Sequence, residues 1–166
     1  MKKRLVLAVV LALGNGVPTA GAAPGNASGA EAFALAGVLA PHSPVLSSTD
    51  RRDMARLFAG LPVTSPADRK ISIAASSIEC RTSSTDITSR TCDITYEDRR
   101  HGTHKVSRTG RAANEVLATL AAAKVGSGGA AGATTFAVTN LVCTVDPNEL
   151  RRRVGGGAEC AFEKGG

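Results

Sequence analysis

Residues 136–144 read FAVTNLVCT, and residues 73–81 read IAASSIECR, which resembles the later stretch position by position. In each stretch, apolar residues occupy alternate positions before a polar pair and the other set of alternate positions after it. Side chains along a strand alternate between faces, so the buried face must change at the polar pair. One extra residue in the strand pairing, a β-bulge, produces such a change. The sequence therefore predicts two strands, one bulged at Ser76–Ser77 and the other at Thr139–Asn140.

The similarity extends beyond these stretches. An apolar-striped helix is predicted before each of them, and a second cysteine opens a further strand after each, in CDIT at Cys92 and in CAFE at Cys160. This order predicts a tandem α-β-β repeat with halves 48–108 and 109–166. Few residues are identical between the halves, so the alternative is that two disulfide-clamped hairpins resemble each other for physical reasons alone.

The first 22 residues have the order of a secretory signal peptide. Basic residues Lys2–Arg4 precede an uncharged apolar run from Leu5 to Gly14, and small residues follow up to Ala22. The apolar run is about half the length of a membrane-spanning helix, which needs roughly 20 residues. We therefore expect cleavage after Ala22, a periplasmic or secreted protein and no stable membrane span after cleavage; an uncleaved anchor is the alternative. The formal net charge is +6, and three of the positive charges lie in the predicted signal peptide.

An even number of cysteines in an exported chain favours disulfides over free thiols. Four cysteines allow three pairings, and sequence alone does not fix the choice. We favour Cys80–Cys92 with Cys143–Cys160, because each pair closes a short hairpin. A zinc site is the alternative, but no C-x-x-C is present and no histidine lies near Cys143 or Cys160.

The N-terminal part of the mature chain, residues 23–47, is expected to be flexible and extended. Gly, Ala, Asn and Ser dominate residues 23–30. Pro41 and Pro44 favour extended backbone. A short helix at 31–39 is ambiguous, because alanine and glycine fill much of it.

The rest of the chain, residues 48–166, is expected to form one α+β domain. Apolar stripes predict two main helices at 50–59 and 111–125, and a capping pattern predicts a short helix at 146–154. Alternating patterns predict five strands: 71–81, 91–97, 104–108, 136–145 and 159–163. The fold class is therefore an antiparallel sheet of four or five strands with the two main helices on one face.

The sequence contains no nucleophile elbow, phosphate-binding glycine loop or metalloprotease helix motif. His101 and His104 are the nearest approach to a metal pair, but two histidines leave a site short of protein ligands. Asp93 and Glu97 share a strand face that is expected to be wet, so neither is expected to act as a general acid. We predict no catalytic, cofactor-binding or metal-binding residues and no cofactor.

Basic residues form three clusters, around Arg51, Arg99 and Arg152, and aromatic residues for base stacking are few. This pattern disfavours nucleic-acid binding and favours a protein partner or an anionic envelope surface. Whether the clusters share one face depends on the fold.

A small domain with two predicted disulfides and no catalytic motif favours an exported, non-enzymatic binding protein that resembles an inhibitor in its action. The loops at 81–91 and 144–159, between the paired cysteines, are the expected contact regions. A small hydrolase or metal-dependent enzyme is the first alternative, and it would need His42, His101 or His104 to meet an acid in a pocket. A structural component of the cell envelope is the second alternative.

Overall fold

The computed structural model describes residues 23–66, 68–82, 90–125, 134–152 and 156–164. The predicted signal peptide at 1–22 lies outside the described residues, and so does most of the loop at 81–91.

In these ranges six strands form one antiparallel sheet, and four helices connect or cover them. The strands are β1 (Ala23–Ser28), β2 (Ile71–Thr82), β3 (Arg90–Asp98), β4 (Gly102–Thr109), β5 (Thr134–Val145) and β6 (Ala158–Lys164). The helices are α1 (Gly29–Leu39), α2 (Ser48–Phe58), α3 (Gly110–Ala122) and α4 (Pro147–Arg152), with a 3-10 turn at Ala40–His42. The strand order is β1-β6-β5-β2-β3-β4.

The α+β class is confirmed, but the sheet has six strands rather than four or five. The additional strand is β1, which pairs with β6 from Ala23–Lys164 to Ser28–Glu159. The prediction that this segment is flexible was wrong, because its order comes from backbone pairing and not from an apolar pattern of its own. Gly25 assists the pairing, since a Cβ there would collide with the ring of Phe162.

The helices that cover the sheet are α1 and α3. Helix α2, which matches the prediction at 50–59, buries only Asp53 and Met54 and has its main contacts with the 3-10 turn. It also reaches the outer side of α1, where the Phe58 ring stacks on Phe33 with the ring centroids 4.2 Å apart. The expectation that this helix packs on the sheet was therefore wrong.

Helix α1 was ambiguous in the sequence because alanine and glycine fill much of it, and the helix is apolar on most sides. The sheet covers one side and Phe58 covers part of another, which is the setting that favours such a helix. Leu35 and Leu39 belong to the same core as the strands, so the chain before residue 48 is part of the domain. Pro41 lies in the 3-10 turn rather than in an extended connection.

The buried face changes on both β2 and β5 at the predicted places. Ala75 and Ile78 are both buried on β2, and Val138 and Leu141 are both buried on β5. Because both strands change face at the same level, their mutual pairing runs without a shift from Ile71–Val145 to Cys80–Phe136. The register shift appears against β6, between Thr139 and Val142.

Asn140 carries the bulge on β5. Its φ is +51°, in the left-handed region that asparagine tolerates better than most residues. On β2 the pairing with β3 begins only at Ser77, after the change of face. Ser76 donates from its hydroxyl to the Thr95 carbonyl at 3.0 Å, so that carbonyl is satisfied where the ladder ends.

The order of elements in the described residues recurs, but the recurring unit is larger than the predicted one. Apart from the 3-10 turn, α2 and α4, each unit has the order β-α-β-β: β1-α1-β2-β3 in the first and β4-α3-β5-β6 in the second. The predicted halves began at 48 and 109 and so omitted β1 from the first unit and assigned β4 to it. Moreover, the first strand of each unit pairs with the last strand of the other, β1 with β6 and β4 with β3. The sheet therefore has approximate twofold symmetry about the β2–β5 pair.

Helices α1 and α3 are equivalent in detail. Each follows its strand without a loop and begins at a glycine with positive φ, +65° at Gly29 and +56° at Gly110. Each buries four residues at spacing i, i+3, i+4, i+7: Ala32, Leu35, Ala36 and Leu39 in α1, and Ala113, Val116, Leu117 and Leu120 in α3. The matched stripe shows that both helices meet the sheet with the same face.

The two hairpin disulfides join residues that lie directly opposite each other, Cys80 with Cys92 and Cys143 with Cys160. Each also faces the helix of the other unit. Cys92 Sγ lies 3.5 Å from the Ala113 carbonyl oxygen, and Cys160 Sγ lies 3.4 Å from that of Ala32. By loop entropy, each disulfide contributes about 3 kcal/mol to stability.

Candidate functional site

The three histidines lie on separate elements: His42 on the 3-10 turn, His104 on β4 and His101 between β3 and β4. His101 lies at the exposed β3–β4 turn, where its Nδ1 is 2.5 Å from Asp98 Oδ2. This contact, together with the Arg100 amide, holds the pKa of Asp98 below its ordinary value. His42 lines a groove with Glu115, but no hydrogen bond joins them. In the described ranges, no three His, Cys, Asp or Glu side chains are grouped to hold a metal ion.

Asp93 is an ion-paired surface carboxylate. Ser107 donates to it at 2.6 Å, and Lys105 Nζ lies 2.9 Å from its other oxygen. These contacts hold the pKa of Asp93 below its ordinary value, despite partial burial. A general acid at neutral pH requires a raised pKa, so Asp93 lacks that property.

A groove with mostly apolar walls lies where α1, α2 and α4 meet. Its volume is about 660 Å³, a size typical of sites for small ligands and side chains. We call it the insertion groove, and its lining is Ala30, Phe33, Leu57, Gly60, Leu61, Pro62, Leu150 and Arg151. Leu61 is 49% exposed although it is a large apolar residue.

The insertion groove is built by the parts of the chain that break the repeat. Helix α2 lies between α1 and β2 in the first unit. The corresponding connection in the second unit runs from α3 to β5, and its described part contains no helix. Helix α4 lies inside the second disulfide loop, between β5 and β6. The floor also differs between units: Ala30 and Phe33 of α1 correspond to Arg111 and Asn114 of α3, which are exposed. The groove therefore exists at one unit alone among the described residues.

The wall formed after α2 is fixed by a buried carboxylate. Asp53 is 1% exposed. It accepts hydrogen bonds from the Thr64 amide at 3.0 Å, from the Thr64 hydroxyl at 2.9 Å and from the Ser65 hydroxyl. These bonds tie the segment that carries Leu61 and Pro62 back to the helix.

Helix α4 forms the opposite wall of the insertion groove, and hydrogen bonds at its start fix its position. Asp146 caps it by accepting from the backbone amides of Asn148 and Glu149, at 2.9 and 3.2 Å. The Asp146 amide in turn donates to the Gly157 carbonyl at 2.6 Å. Gly157 has a φ of +79°, and a Cβ there would lie 2.6 Å from the Leu150 nitrogen. Both walls are thus positioned by bonds that do not involve a ligand.

The rim of the insertion groove is basic. Arg151 lines it, and Arg56 Nε donates to the Pro62 carbonyl at 2.6 Å. No carboxylate of the described chain is ion-paired with either arginine, whereas Arg152 lies 4.0 Å from Glu149. One arginine of the α2 cluster, Arg56, and one of the α4 cluster, Arg151, therefore lie at this groove. Arg51 of the α2 cluster instead donates to the Ser43 carbonyl, and Arg99 lies at the β3–β4 turn.

A larger hollow of about 760 Å³ runs along β1 and β6. Its walls are mainly strand backbone and small or polar side chains, and it adjoins Ala123 and Lys124, next to residues 126–133 outside the described chain. It lacks the cluster of large apolar side chains that typical ligand sites use.

Comparison with protein families, curated proteins and solved structures finds no match to this chain. Among the helices that the structure describes, none is both long and apolar enough to cross a bilayer.

Sequence patterns identified parts of the insertion groove without recognising it. Leu57, Phe58 and Leu61 form an apolar stripe in the sequence, which predicted core contacts. In the structure Phe58 is 46% exposed, and Leu61 lies beyond the end of α2. Gly60, which precedes Leu61 and has a φ of +69°, was the available signal that Leu61 leaves the helix.

Proposed function

We propose that this chain is an exported, non-enzymatic binding protein that holds an apolar segment of a partner protein in the insertion groove. The proposal rests on how the insertion groove is formed. Two helices outside the repeat converge on one unit and leave large apolar side chains accessible between them. Exposed apolar surface of this kind typically marks an interaction site.

The chemistry of the rim indicates the kind of partner. Arg56 and Arg151 are unpaired with carboxylates in the described chain and flank an apolar floor. An amphipathic segment with large apolar side chains and neighbouring acidic residues is complementary to this arrangement. The two disulfides suit such a protein to an oxidising compartment, in keeping with the predicted signal peptide.

The test begins with capture of the partner from periplasmic extract or culture medium. The captured protein is then purified, and its dissociation constant is measured with Leu61→Ser and Val142→Ser variants. The two residues are matched, being 49% and 43% exposed, but Val142 lies on β5 away from the groove. We expect Leu61→Ser to weaken binding about tenfold or more, a loss of about 1.4 kcal/mol, and Val142→Ser to leave it unchanged.

Equal effects of the two substitutions would contradict the role of the groove. Binding to anionic vesicles that Leu61→Ser leaves intact would instead favour an envelope-surface function. A turnover activity insensitive to both variants would favour the enzyme alternative.

A further inference from the structure

A second groove lies between α1 and α3, on the other side of the Phe33–Phe58 pair. Its volume is about 380 Å³. Most of its wall is apolar and comes from both helices, the 3-10 turn and Phe58: Ala34, Gly37, Val38, Pro41, Phe58, Ala112 and Val116. His42, Arg108, Glu115 and Thr119 supply its polar groups. We call it the interhelix groove.

Positive charge gathers around His42, on the 3-10 turn. Burial is the largest influence on His42 and lowers its pKa; Arg108, Arg51 and His104 lower it further. These groups come from different elements, Arg51 from α2 and the other two from β4. Arg108 has no ion pair with a carboxylate in the described chain. The end of the groove at His42 is therefore a site where an anion is favoured.

Glu115 and Tyr96, the other titratable groups near this site, each have a partner of their own. Glu115 on α3 lies 3.4 Å from Arg111 and is not among the charges that shift His42. Tyr96 on β3 donates its hydroxyl to the Leu39 carbonyl at 2.8 Å, and burial raises its pKa, so it stays neutral. Arg51 also donates to the Ser43 carbonyl at 2.9 Å, which fixes it near the turn.

We propose that the interhelix groove binds a small amphipathic carboxylate, with the anion at His42 and Arg108 and the apolar body along Val38, Phe58 and Val116. Medium-chain fatty acids and similar organic acids have this chemistry. The site is separate from the insertion groove, and the proposal does not depend on the proposed function.

Binding at this site is coupled to protonation of His42. In the free protein the imidazole favours its neutral form, because burial and the neighbouring arginines, Arg108 and Arg51, oppose a further charge. A bound carboxylate offsets that repulsion and raises the pKa of His42. By linkage, a ligand that favours the protonated form binds more tightly as the pH falls through the range in which His42 titrates.

Titration with octanoate tests the proposal, with NMR detection of backbone amides and the His42 ring. Measurements run from about pH 8 to about pH 6, where the ligand carboxylate remains mostly ionised. Acetate supplies the anion without the tail, and octyltrimethylammonium supplies the tail with the opposite charge. We expect octanoate to perturb Val38, Val116 and His42, to raise the pKa of His42, and to bind at least about tenfold more tightly than either comparison compound.

Two variants sharpen the test. Arg108→Gln is expected to weaken octanoate binding about tenfold, whereas Arg52→Gln, at an exposed arginine of α2 outside the groove, leaves it unchanged. His42→Gln is expected to remove the pH dependence of binding while the amide spectrum stays folded. The proposal is overturned if octanoate perturbs only the insertion groove, if octyltrimethylammonium binds equally well, or if the pKa of His42 does not rise. None of these results bears on the partner measurements with Leu61→Ser.

Discussion

Asp53 shows how one side chain sets the geometry of the candidate site. It is the only charged residue among those described that is fully buried. Burial by itself raises the pKa of Asp53, but hydrogen bonds from Ser65 and Thr64 outweigh it and hold the pKa below its ordinary value. The carboxylate is therefore stabilised in its charged form and anchors the groove wall.

Replacing Asp53 by Asn is expected to lower the free energy of unfolding by about 2 kcal/mol, because charge-assisted hydrogen bonds are lost in a buried site. Urea unfolding at neutral pH measures the change. Asp68→Asn is the matched control, since Asp68 is exposed and has no ion pair or hydrogen bond in the described structure. Equal stability of the two variants would show that the network contributes nothing.

The same residue predicts an acid dependence. Its folded pKa lies below the unfolded value of about 3.9, so its stabilisation is present above that pH and is lost as the pH falls. The difference in unfolding free energy between the native protein and Asp53→Asn is therefore expected to shrink between about pH 5 and pH 3. A constant difference across this range would contradict the assignment.

Gly37 makes room for the docking of α2 on α1. Alanine in the middle of a helix is normally more stabilising than glycine by about 1 kcal/mol. Here an added Cβ would collide with the Phe58 ring, so we expect Gly37→Ala to destabilise the protein by about 1 kcal/mol or more. Thermal unfolding of Gly37→Ala in a Phe58→Ala background is the control, where the substitution should become stabilising.

At the scale of elements, the sequence predicted the bulge on β5 but did not predict which helices cover the sheet. Buried residues in a strand recur at every second position. The sequence of one strand is therefore enough to show that the buried face changes at Asn140. In helix α1 the buried stripe does not stand out in the sequence, because apolar residues also occupy positions outside the stripe. Its importance depends on contacts with strands distant in the chain.

Asn140 provides a test of the bulge. Asn140→Gly should change stability little, because glycine accepts the left-handed backbone even though the 2.8 Å bond to Glu163 is lost. Asn140→Val is expected to cost about 1–2 kcal/mol, since a branched residue is strained at positive φ. Chemical denaturation compares the two, and Thr139→Val at the neighbouring position serves as the control. A tolerated valine at 140 would mean that the strand can pair without the bulge.

At the scale of the whole molecule, each unit depends on the other, because its first strand pairs with the last strand of the other unit. The pairing of β1 with β6 corresponds to the pairing of β4 with β3. The pair Ala23–Lys164 occupies the place that the pair His104–Tyr96 occupies in the β3–β4 hairpin. The two ends of the described chain are therefore placed to be joined by a turn of similar length.

This arrangement predicts a viable circular permutant of residues 23–166. The chain would open between Arg99 and Arg100, and about five added residues would join Gly166 to Ala23. We expect the same disulfides and a free energy of unfolding within about 2 kcal/mol of the parent, measured by peptide mapping and urea unfolding. A permutant opened between Ser76 and Ser77, in the central strand β2, should not fold. Failure of the first permutant, or success of the second, would contradict the symmetric pairing.

The candidate site was only partly predictable. The loop between Cys143 and Cys160 was an expected contact region, and α4 in that loop forms one wall of the insertion groove. Leu61 belongs to an apolar stripe in the sequence, but a helical stripe does not reveal whether the facing surface is another element or solvent. Phe33 was not singled out, since its surroundings come from α2 and α4.

The sequence by itself determined the properties that repeat locally along the chain. Strand alternation gave five strands and the change of face on β2 and β5, and proximity favoured the pairing of the cysteines. Only the tertiary structure decided that β1 is a strand, that α1 rather than α2 covers the sheet, and that two inserted helices enclose a groove. Each of these depends on a partner supplied by a distant part of the chain, and a short segment carries no pattern for a partner that it meets only after folding.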